Sequence, residues 1–162
     1  MIRIFPYLSV FTVLFLFACG SDPLDHLPGV DPWMDGNPTE FASFAKDAEE
    51  GPVVMINLLK FRKESADGDG TGAEAYARYA RLAAPLVKRH GGSMVFSGQT
   101  EEHLVGDTRL DWDMVLMVSW PAHQNLLDLA ADEDYEKIAH HRTNGLERTM
   151  LIAMTQDPPI GQ

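Results

Sequence analysis

The chain has 162 residues, of which 24 are acidic and 13 are basic, so it carries a formal net charge of −11 at pH 7. This acidity argues against nucleic acid and anionic lipid surfaces as partners, because phosphate-rich ligands need clustered cations. The single cysteine excludes an internal disulfide bond and the zinc sites that are built from paired cysteines.

The chain begins with the pattern of a secretory leader. A basic start precedes an apolar run over residues 4–18, and Cys19 follows directly. The run is shorter than the about 20 apolar residues that a membrane span needs, and it contains Pro6. We therefore predict a lipoprotein signal peptide over residues 1–18 and a lipid on Cys19. A leader cut without lipid is the alternative, because Phe17 is bulkier than the residue usual at its position.

The next segment is rich in residues that break regular structure. Residues 19–38 contain Pro23, Pro28, Pro32 and Pro38 together with several glycines, which predicts a flexible tether. Trp33 and Met34 could instead dock on the following domain. In lipoproteins that the leader resembles, an aspartate after the cysteine retains the protein at the inner membrane, whereas Gly20 and Ser21 stand here. We therefore expect anchoring in the outer membrane of a bacterial cell envelope.

Residues 39–162 alternate between helical and extended patterns, which predicts one domain. Apolar residues at helical spacing predict a short helix over residues 39–48, a longer one over 73–90 that bends at Pro85, and a helical pair over 121–145 capped by Asp132. Runs of β-branched and alternating apolar residues predict strands over residues 53–61, 93–105, 112–120 and 149–155, with a bulge at Gly98.

This element order is that of a ferredoxin-like α+β fold, βαββαβ, in which both connecting helices cover the same face of an antiparallel sheet. The third predicted strand is apolar on both faces, so the uncovered face also needs shelter from water. We predict that a second copy of the chain covers it and forms a homodimer. The short helix over residues 39–48 is the other candidate cover.

Several short segments are similar to a family known as domain of unknown function 1330 (DUF1330). The resemblance covers roughly residues 51–156, and it implies a dimeric α+β barrel that pairs through its sheets. It supplies no activity, because the function of this family is not established, and the leader and the tether lie outside it. The segments that carry it are residues 51–62, Tyr76 and Tyr79, residues 89–92, Trp112 with Asp113, and Tyr135 with His141 and Arg142.

Five residues are candidates for ligand binding. An amide on an apolar strand face needs a partner, which can be the neighbouring backbone or a ligand. A tyrosine beside the apolar stripe of the long helix could reach the edge of a cleft, and an aspartate at a strand start could orient an arginine across the sheet. A tryptophan there is packing or a stacking platform. The candidates are Asn57, Tyr79, Trp112, Asp113 and Arg142.

The helix before the last strand carries the candidates for catalysis, His141, Arg142 and Tyr135. Histidine is suited to acid and base chemistry by its pKa, and arginine can fix a carboxylate. Glu136 and His140 are one turn apart, but no spacing forces a third metal ligand, so we predict no metal. The chain contains no phosphate-binding glycine loop or dinucleotide fingerprint, so we predict no cofactor.

The sequence leaves three classes of function open. We favour a membrane-anchored, extracytoplasmic lipoprotein that binds a small apolar or amphipathic molecule at its dimeric barrel. The alternatives are a cofactor-independent monooxygenase or isomerase, and an envelope interaction module without a ligand. A binder should enclose a pocket of ordinary ligand size around Asn57 and Arg142.

Overall fold

The computed structural model describes residues 31, 34–46, 51–107, 109 and 111–155. The predicted leader, Cys19 and most of the predicted tether lie outside these residues. No helix within the described ranges has the length and the apolar character that crossing a bilayer requires. The elements are α1 (Pro38–Lys46), β1 (Val53–Phe61), α2 (Gly72–Arg89), β2 (Ser93–Gln99), β3 (Met114–Trp120), α3 (His123–Ala130), α4 (Glu133–Gly145) and β4 (Leu146–Met154).

The four strands form one antiparallel sheet in the order β2-β3-β1-β4. The first strand lies at the centre, where Asn57 is opposite Leu116 of β3 and Leu151 of β4. The chain therefore has the ferredoxin-like α+β fold that its sequence predicts.

The core lies between the sheet and the helices. Because side chains alternate along a strand, Val53, Met55 and Leu59 of β1 point to the same face. This face, which we call the helix side, holds two buried clusters. One consists of Val53, Met55, Trp120 and Leu129, and the other of Leu59, Tyr76, Leu116 and Leu146.

Helix starts are fixed by side chains that accept hydrogen bonds from the free backbone N–H groups. Asn37 accepts from the amides of Thr39 and Glu40 at the start of α1. Thr71 and Glu74 form a reciprocal capping box at the start of α2. Asp132 caps α4, as the sequence predicts.

The start of α2 and the end of α4 approach each other closely at two glycines. A Cβ atom at Gly145 would lie 2.6 Å from the carbonyl oxygen of Gly72, and a Cβ atom at Gly72 would collide with the carbonyl oxygen of Gly145. Backbone therefore meets backbone at this end of the helix layer, and only glycine fits there.

Several predicted boundaries were wrong. The second strand ends at Gln99 rather than at residue 105, β3 begins at Met114 rather than at 112, and β4 begins at Leu146 rather than at 149. The connection between β2 and β3 is therefore much longer than a hairpin turn. The bulge lies between Met94 and Phe96 rather than at Gly98. A Cβ atom at Gly98 would lie 2.8 Å from Cζ of Phe96, so this glycine makes room for the aromatic ring instead.

The face of the sheet opposite the helices, which we call the outer face, is largely apolar. Cross-strand rows on it join Ile56 to Met117 and Ile152, and Leu58 to Val115 and Met150. Exposed side chains at its two edge strands are Phe96, Met150, Ile152 and Met154. This agrees with the prediction that neither sheet face is polar.

Candidate functional site

The structure divides the predicted site residues between the two faces of the sheet. Asn57, Tyr79, Tyr135 and Arg142 belong to the helix side, where α2 and α4 cover the sheet. Trp112 and Asp113 lie in the connection before β3, next to charged side chains of the outer face.

Tyr79 of α2 and Tyr135 of α4 contact each other through their hydroxyl groups. The two oxygens are 2.9 Å apart, and the rings meet edge to face at a centroid distance of 6.2 Å. Burial raises the pKa of Tyr79 well above its ordinary value, and Tyr135 adds to this effect. The Tyr79 hydroxyl therefore stays protonated and is a neutral hydrogen-bond donor. Tyr79 is half-buried between the two helices, and the expectation that it reaches the edge of a cleft stays a prediction.

Tyr76 continues the row of aromatic rings. Its ring lies 5.4 Å from that of Tyr79 and 5.5 Å from that of Phe61. The residue is buried, as its place on the apolar stripe predicts, and this burial raises the pKa of Tyr76 to about 12. The positive charge of Arg142 opposes this increase in pKa at both Tyr76 and Tyr79.

Arg142 is half-buried at the end of α4 and is held by the sheet. One of its Nη atoms donates to Oγ1 of Thr149 at 3.1 Å, and that hydroxyl donates to the carbonyl oxygen of Leu58, also at 3.1 Å. The last strand therefore positions the guanidinium through a neutral hydroxyl. Thr149 was not among the predicted site residues, because its meeting with Arg142 depends on how α4 turns into β4.

Asn57 lies at the centre of β1 and points to the helix side. Its Nδ2 lies 3.4 Å from the carbonyl oxygen of Met55, which is longer than the usual distance of about 3.0 Å. The backbone partner that the sequence left open is therefore present, with a long contact.

Trp112 and Asp113 belong to a charged network before β3, and their role in ligand binding stays a prediction. Asp113 accepts hydrogen bonds from Nζ of Lys60 at 2.9 Å and from the amide of Phe61 at 2.7 Å. The prediction that it orients an arginine was wrong, because the alternation of β1 brings a lysine to this place. The arginine, Arg148, lies over the Trp112 ring at 5.2 Å from its centroid.

Asp111 joins the two cations of this network. Its carboxylate accepts from Lys60 at 2.6 Å and from Arg148 at 2.5 Å. Hydrogen bonds from Lys60 and then from Arg148 lower the pKa of Asp111 to about 2. These contacts tie the long β2–β3 connection to the end of the sheet.

His141 contacts the neighbouring histidine. Its ring is tilted against that of His140 at a centroid distance of 4.0 Å, and its Nδ1 is buried without a hydrogen-bond partner in the described part of the chain. Burial, followed by the charge of His140, lowers the pKa of His141. Within the described residues, no three His, Cys, Asp or Glu side chains come together as metal ligands would. A catalytic role for His141, Arg142 or Tyr135 stays a prediction.

A surface groove of about 430 Å³ lies at the edge strand β2. It is open to solvent between the outer face and the β2–β3 connection. Asn57, Tyr79, Tyr135 and Arg142 do not line it, so it is not the enclosed pocket that the sequence led us to expect. Its lining residues include Phe96, Gly98, Thr100, Leu104 and Val115.

Comparison with known proteins agrees with this architecture. The sequence profile of the domain of unknown function DUF1330 matches residues 66–156. The crystal structure of RPA0582, a protein of unknown function from Rhodopseudomonas palustris, is 34% identical and has a TM-score of 0.74. The match covers 78% of this chain and 98% of that one. The methylated form of RPA0582 gives 35% identity and a TM-score of 0.74, with 80% of this chain and 97% of that one covered.

A more distant structure has a lower identity and a lower TM-score. SnoaB, a cofactor-independent oxygenase from Streptomyces nogalater, is 18% identical with a TM-score of 0.48, over 70% of this chain and all of that one. At this distance nothing about activity follows from the likeness. No curated protein matches the chain in sequence.

Proposed function

This chain belongs to the DUF1330 family, and we propose that it is a lipid-anchored, extracytoplasmic homodimer that binds a small amphipathic molecule on the helix side of its sheet. The observation that carries the proposal is the meeting of polar groups inside an otherwise apolar layer. Tyr79 and Tyr135 join their hydroxyls at 2.9 Å, and the charge of Arg142 acts on Tyr79.

Polar groups in a protein interior are costly unless hydrogen bonds satisfy them. In a hydrogen-bonded pair of hydroxyls, one O–H donates to the other oxygen. This leaves the second O–H free to donate and lone pairs free to accept. The neighbouring rings of Tyr76 and Phe61 supply apolar surface. Few polar groups within apolar walls are the usual composition of a small-molecule site.

The proposed homodimer follows from the outer face. Phe96, Met150, Ile152 and Met154 are exposed on the two edge strands, and the rows between them are apolar. A second copy packed sheet against sheet removes this surface from water through an isologous contact.

The anchor is proposed from the sequence, because Cys19 lies outside the described residues. Mass spectrometry of the protein purified from bacterial membranes, without added ligand, tests the proposal. Under denaturing conditions we expect a chain that starts at Cys19 and carries a diacylglyceryl group. The Cys19→Ser variant is the control and should carry no lipid. A wild-type chain without lipid would contradict the anchor.

The same sample under native conditions reports on dimer and ligand together. We expect a dimer that retains a small molecule, which is released on denaturation. The Tyr79→Phe variant removes one hydroxyl of the pair and should retain less of it. A dimer that carries no added mass, and that takes up no small molecule from a periplasmic extract, would overturn the binding function.

An interaction module without a ligand is the second candidate. The observation that favours it is the position of the groove at Phe96 and Leu104, away from the polar cluster. In that case the groove and the outer face bind other proteins. The native mass spectrum should then show no small molecule retained by the protein. A cofactor-independent oxygenase or isomerase would instead convert an aromatic phenol, and in the oxygenase case only in air.

A further inference from the structure

Arg142 differs from most half-buried cations of the described chain. Lys60, Arg78 and Arg148 each have a carboxylate oxygen within 4.0 Å. Among the described residues, no carboxylate lies within that distance of the Arg142 guanidinium, whose contact is the Thr149 hydroxyl at 3.1 Å. The side chain is therefore fixed in place without an opposite charge beside it.

No shortage of acidic residues explains why the described chain places no carboxylate beside Arg142. The chain has 24 acidic residues, so carboxylates are plentiful, yet the helix side supplies none to this guanidinium. Arginine stays charged at every physiological pH, and burial of an unpaired charge is unfavourable. The Thr149 hydroxyl already donates to Leu58, so it accepts from Arg142 but cannot neutralise its charge.

The neighbouring phenols complete the pattern. Tyr79 is kept protonated by burial, and its bond to Tyr135 leaves one O–H of the pair free to donate. A fixed cation beside a neutral donor suits a planar anion with two acceptor oxygens. The sheet brings the guanidinium to the same layer, because Thr149, its partner, lies opposite Leu59, and Leu59 packs in one cluster with Tyr76 and Tyr79. The tilted rings of these tyrosines, 5.4 Å apart, form the apolar part of that layer.

We infer that the molecule taken by this site is a monocarboxylate with an aromatic or similarly flat apolar body. The carboxylate pairs with Arg142, and the body lies against the tyrosine rings. A doubly charged phosphate suits the site less, because the site offers one cation in a chain of net charge −11. The inference rests on the proposed binding function and specifies its ligand class.

Calorimetric titration of the detergent-solubilised full chain tests this class with three matched compounds: phenylacetate, its neutral analogue phenylacetamide, and phenyl phosphate. We expect phenylacetate to bind at least about tenfold more tightly than the other two, because a charged hydrogen bond is lost in the amide. Amide or phosphate binding that equals phenylacetate binding overturns the inference alone. Absence of binding by all three overturns it together with the binding function.

Variants locate the anion contact. Arg142→Gln should reduce phenylacetate affinity by about tenfold or more and abolish the preference over the amide, whereas Arg142→Lys should restore part of it. Arg62→Gln is the matched control. Arg62 is also half-buried and has no carboxylate within reach in the described chain, but it is not among the charges that act on the tyrosines. Loss of preference in Arg62→Gln instead of Arg142→Gln places the anion elsewhere and overturns the inference.

Thr149→Val gives a second test that keeps the charge. It removes the hydroxyl that positions Arg142 while preserving side-chain volume, so phenylacetate affinity should decrease by a few-fold. Circular dichroism and thermal unfolding confirm that each variant is folded. If Arg142→Gln does not fold, an unchanged phenylacetate affinity in folded Thr149→Val overturns the inference.

Discussion

The hydroxyl oxygens of Tyr79 and Tyr135 lie 2.9 Å apart, which joins the middle of α2 to the first turn of α4 over a separation of 56 residues. Because both side chains are half-buried, this bond links the helices where little water can replace it. Removing one hydroxyl should therefore weaken the fold as well as the proposed site.

We expect Tyr79→Phe to lower the free energy of unfolding by about 1 kcal/mol, because the Tyr135 hydroxyl loses its partner. Urea unfolding followed by circular dichroism measures the change. Tyr76→Phe is the control, since burial and charge but no hydrogen bond act on the Tyr76 hydroxyl in the described chain. Equal losses in the two variants would show that the bond contributes nothing of its own.

Alkaline pH should destabilise the protein through the same tyrosines. The pKa of Tyr76 is raised to about 12 and that of Tyr79 well above 10. The folded state therefore holds protons that the unfolded state releases from about pH 10 upward. The contribution of these tyrosines to the free energy of unfolding is fully present below pH 10. It decreases as the pH rises towards their folded-state pKa values, by about 1.4 kcal/mol per pH unit and per tyrosine.

Urea midpoints measured at pH 9, 10 and 11 report this slope. The Tyr76→Phe variant should show a shallower decrease above pH 10 than the wild type. A wild-type midpoint that stays constant over this range would mean that the phenols are not protected from ionisation.

The outer face can be tested with two neighbouring residues of β4. Ile152 is 38% exposed on the outer face, whereas Leu151 is 40% exposed and alternates to the helix side. If the dimer forms through the outer face, Ile152→Glu should yield monomers because a charge enters the apolar contact, while Leu151→Glu should remain dimeric. Light scattering coupled to size exclusion distinguishes the two. Dissociation by both variants, or by neither, would place the contact elsewhere.

Asp111 should control the mobility of the β2–β3 connection, because it binds both Lys60 and Arg148. In Asp111→Ala we expect faster amide hydrogen exchange over residues 100–113 and unchanged exchange in β1. Asp107→Ala is the control, since Asp107 contacts only the local Arg109 among the contacts found in the described chain. The same exchange in both variants would mean that the network does not hold the connection.

Asp132 should couple the end of α2 to the start of α4. Its carboxylate accepts from the amide of Asp134, lies 2.7 Å from Nε2 of His90 and pairs with Arg89. Hydrogen bonds from His90 and then from Arg89 lower the pKa of Asp132, so its contribution is present above its ordinary pKa and is lost in acid. We expect Asp132→Ala to lower the melting temperature more than Asp132→Asn, which keeps the cap. Equal decreases would leave the cap without a separate role.

The architecture could be predicted because its signals are local. The first strand agrees with its prediction at both ends, since Gly51 and Pro52 precede a mainly apolar run that only Asn57 and Lys60 interrupt. The second strand was extended too far because residues 100–105 carry no strong breaker. Its last residue, Gln99, pairs with Met114 at the start of β3, so its end depends on a partner strand that is distant in sequence.

The site was predicted only in part, because its contacts join elements whose relative positions the sequence pattern does not give. Helical spacing identified Tyr79 and Tyr135 as separate candidates, but their contact depends on the angle between two helices. The partner of Arg142 could not be read from the sequence, because Thr149 reaches it only after the chain turns from helix into strand. We predicted an arginine partner for Asp113, whereas the alternation of side chains along β1 places Lys60 beside it.

The glycine contact between α2 and α4 makes the two ends of the helix layer mechanically unequal. At Gly72 and Gly145 the two helices touch through main-chain atoms, so the distance between the helices is fixed at that end. At the opposite end, His90 and Asp132 hold the helices through side chains that can rotate. A bound molecule that separates α2 from α4 must therefore move them at the end that carries His90. In a saturation mutagenesis library of both helices, Gly72 and Gly145 should tolerate the fewest substitutions.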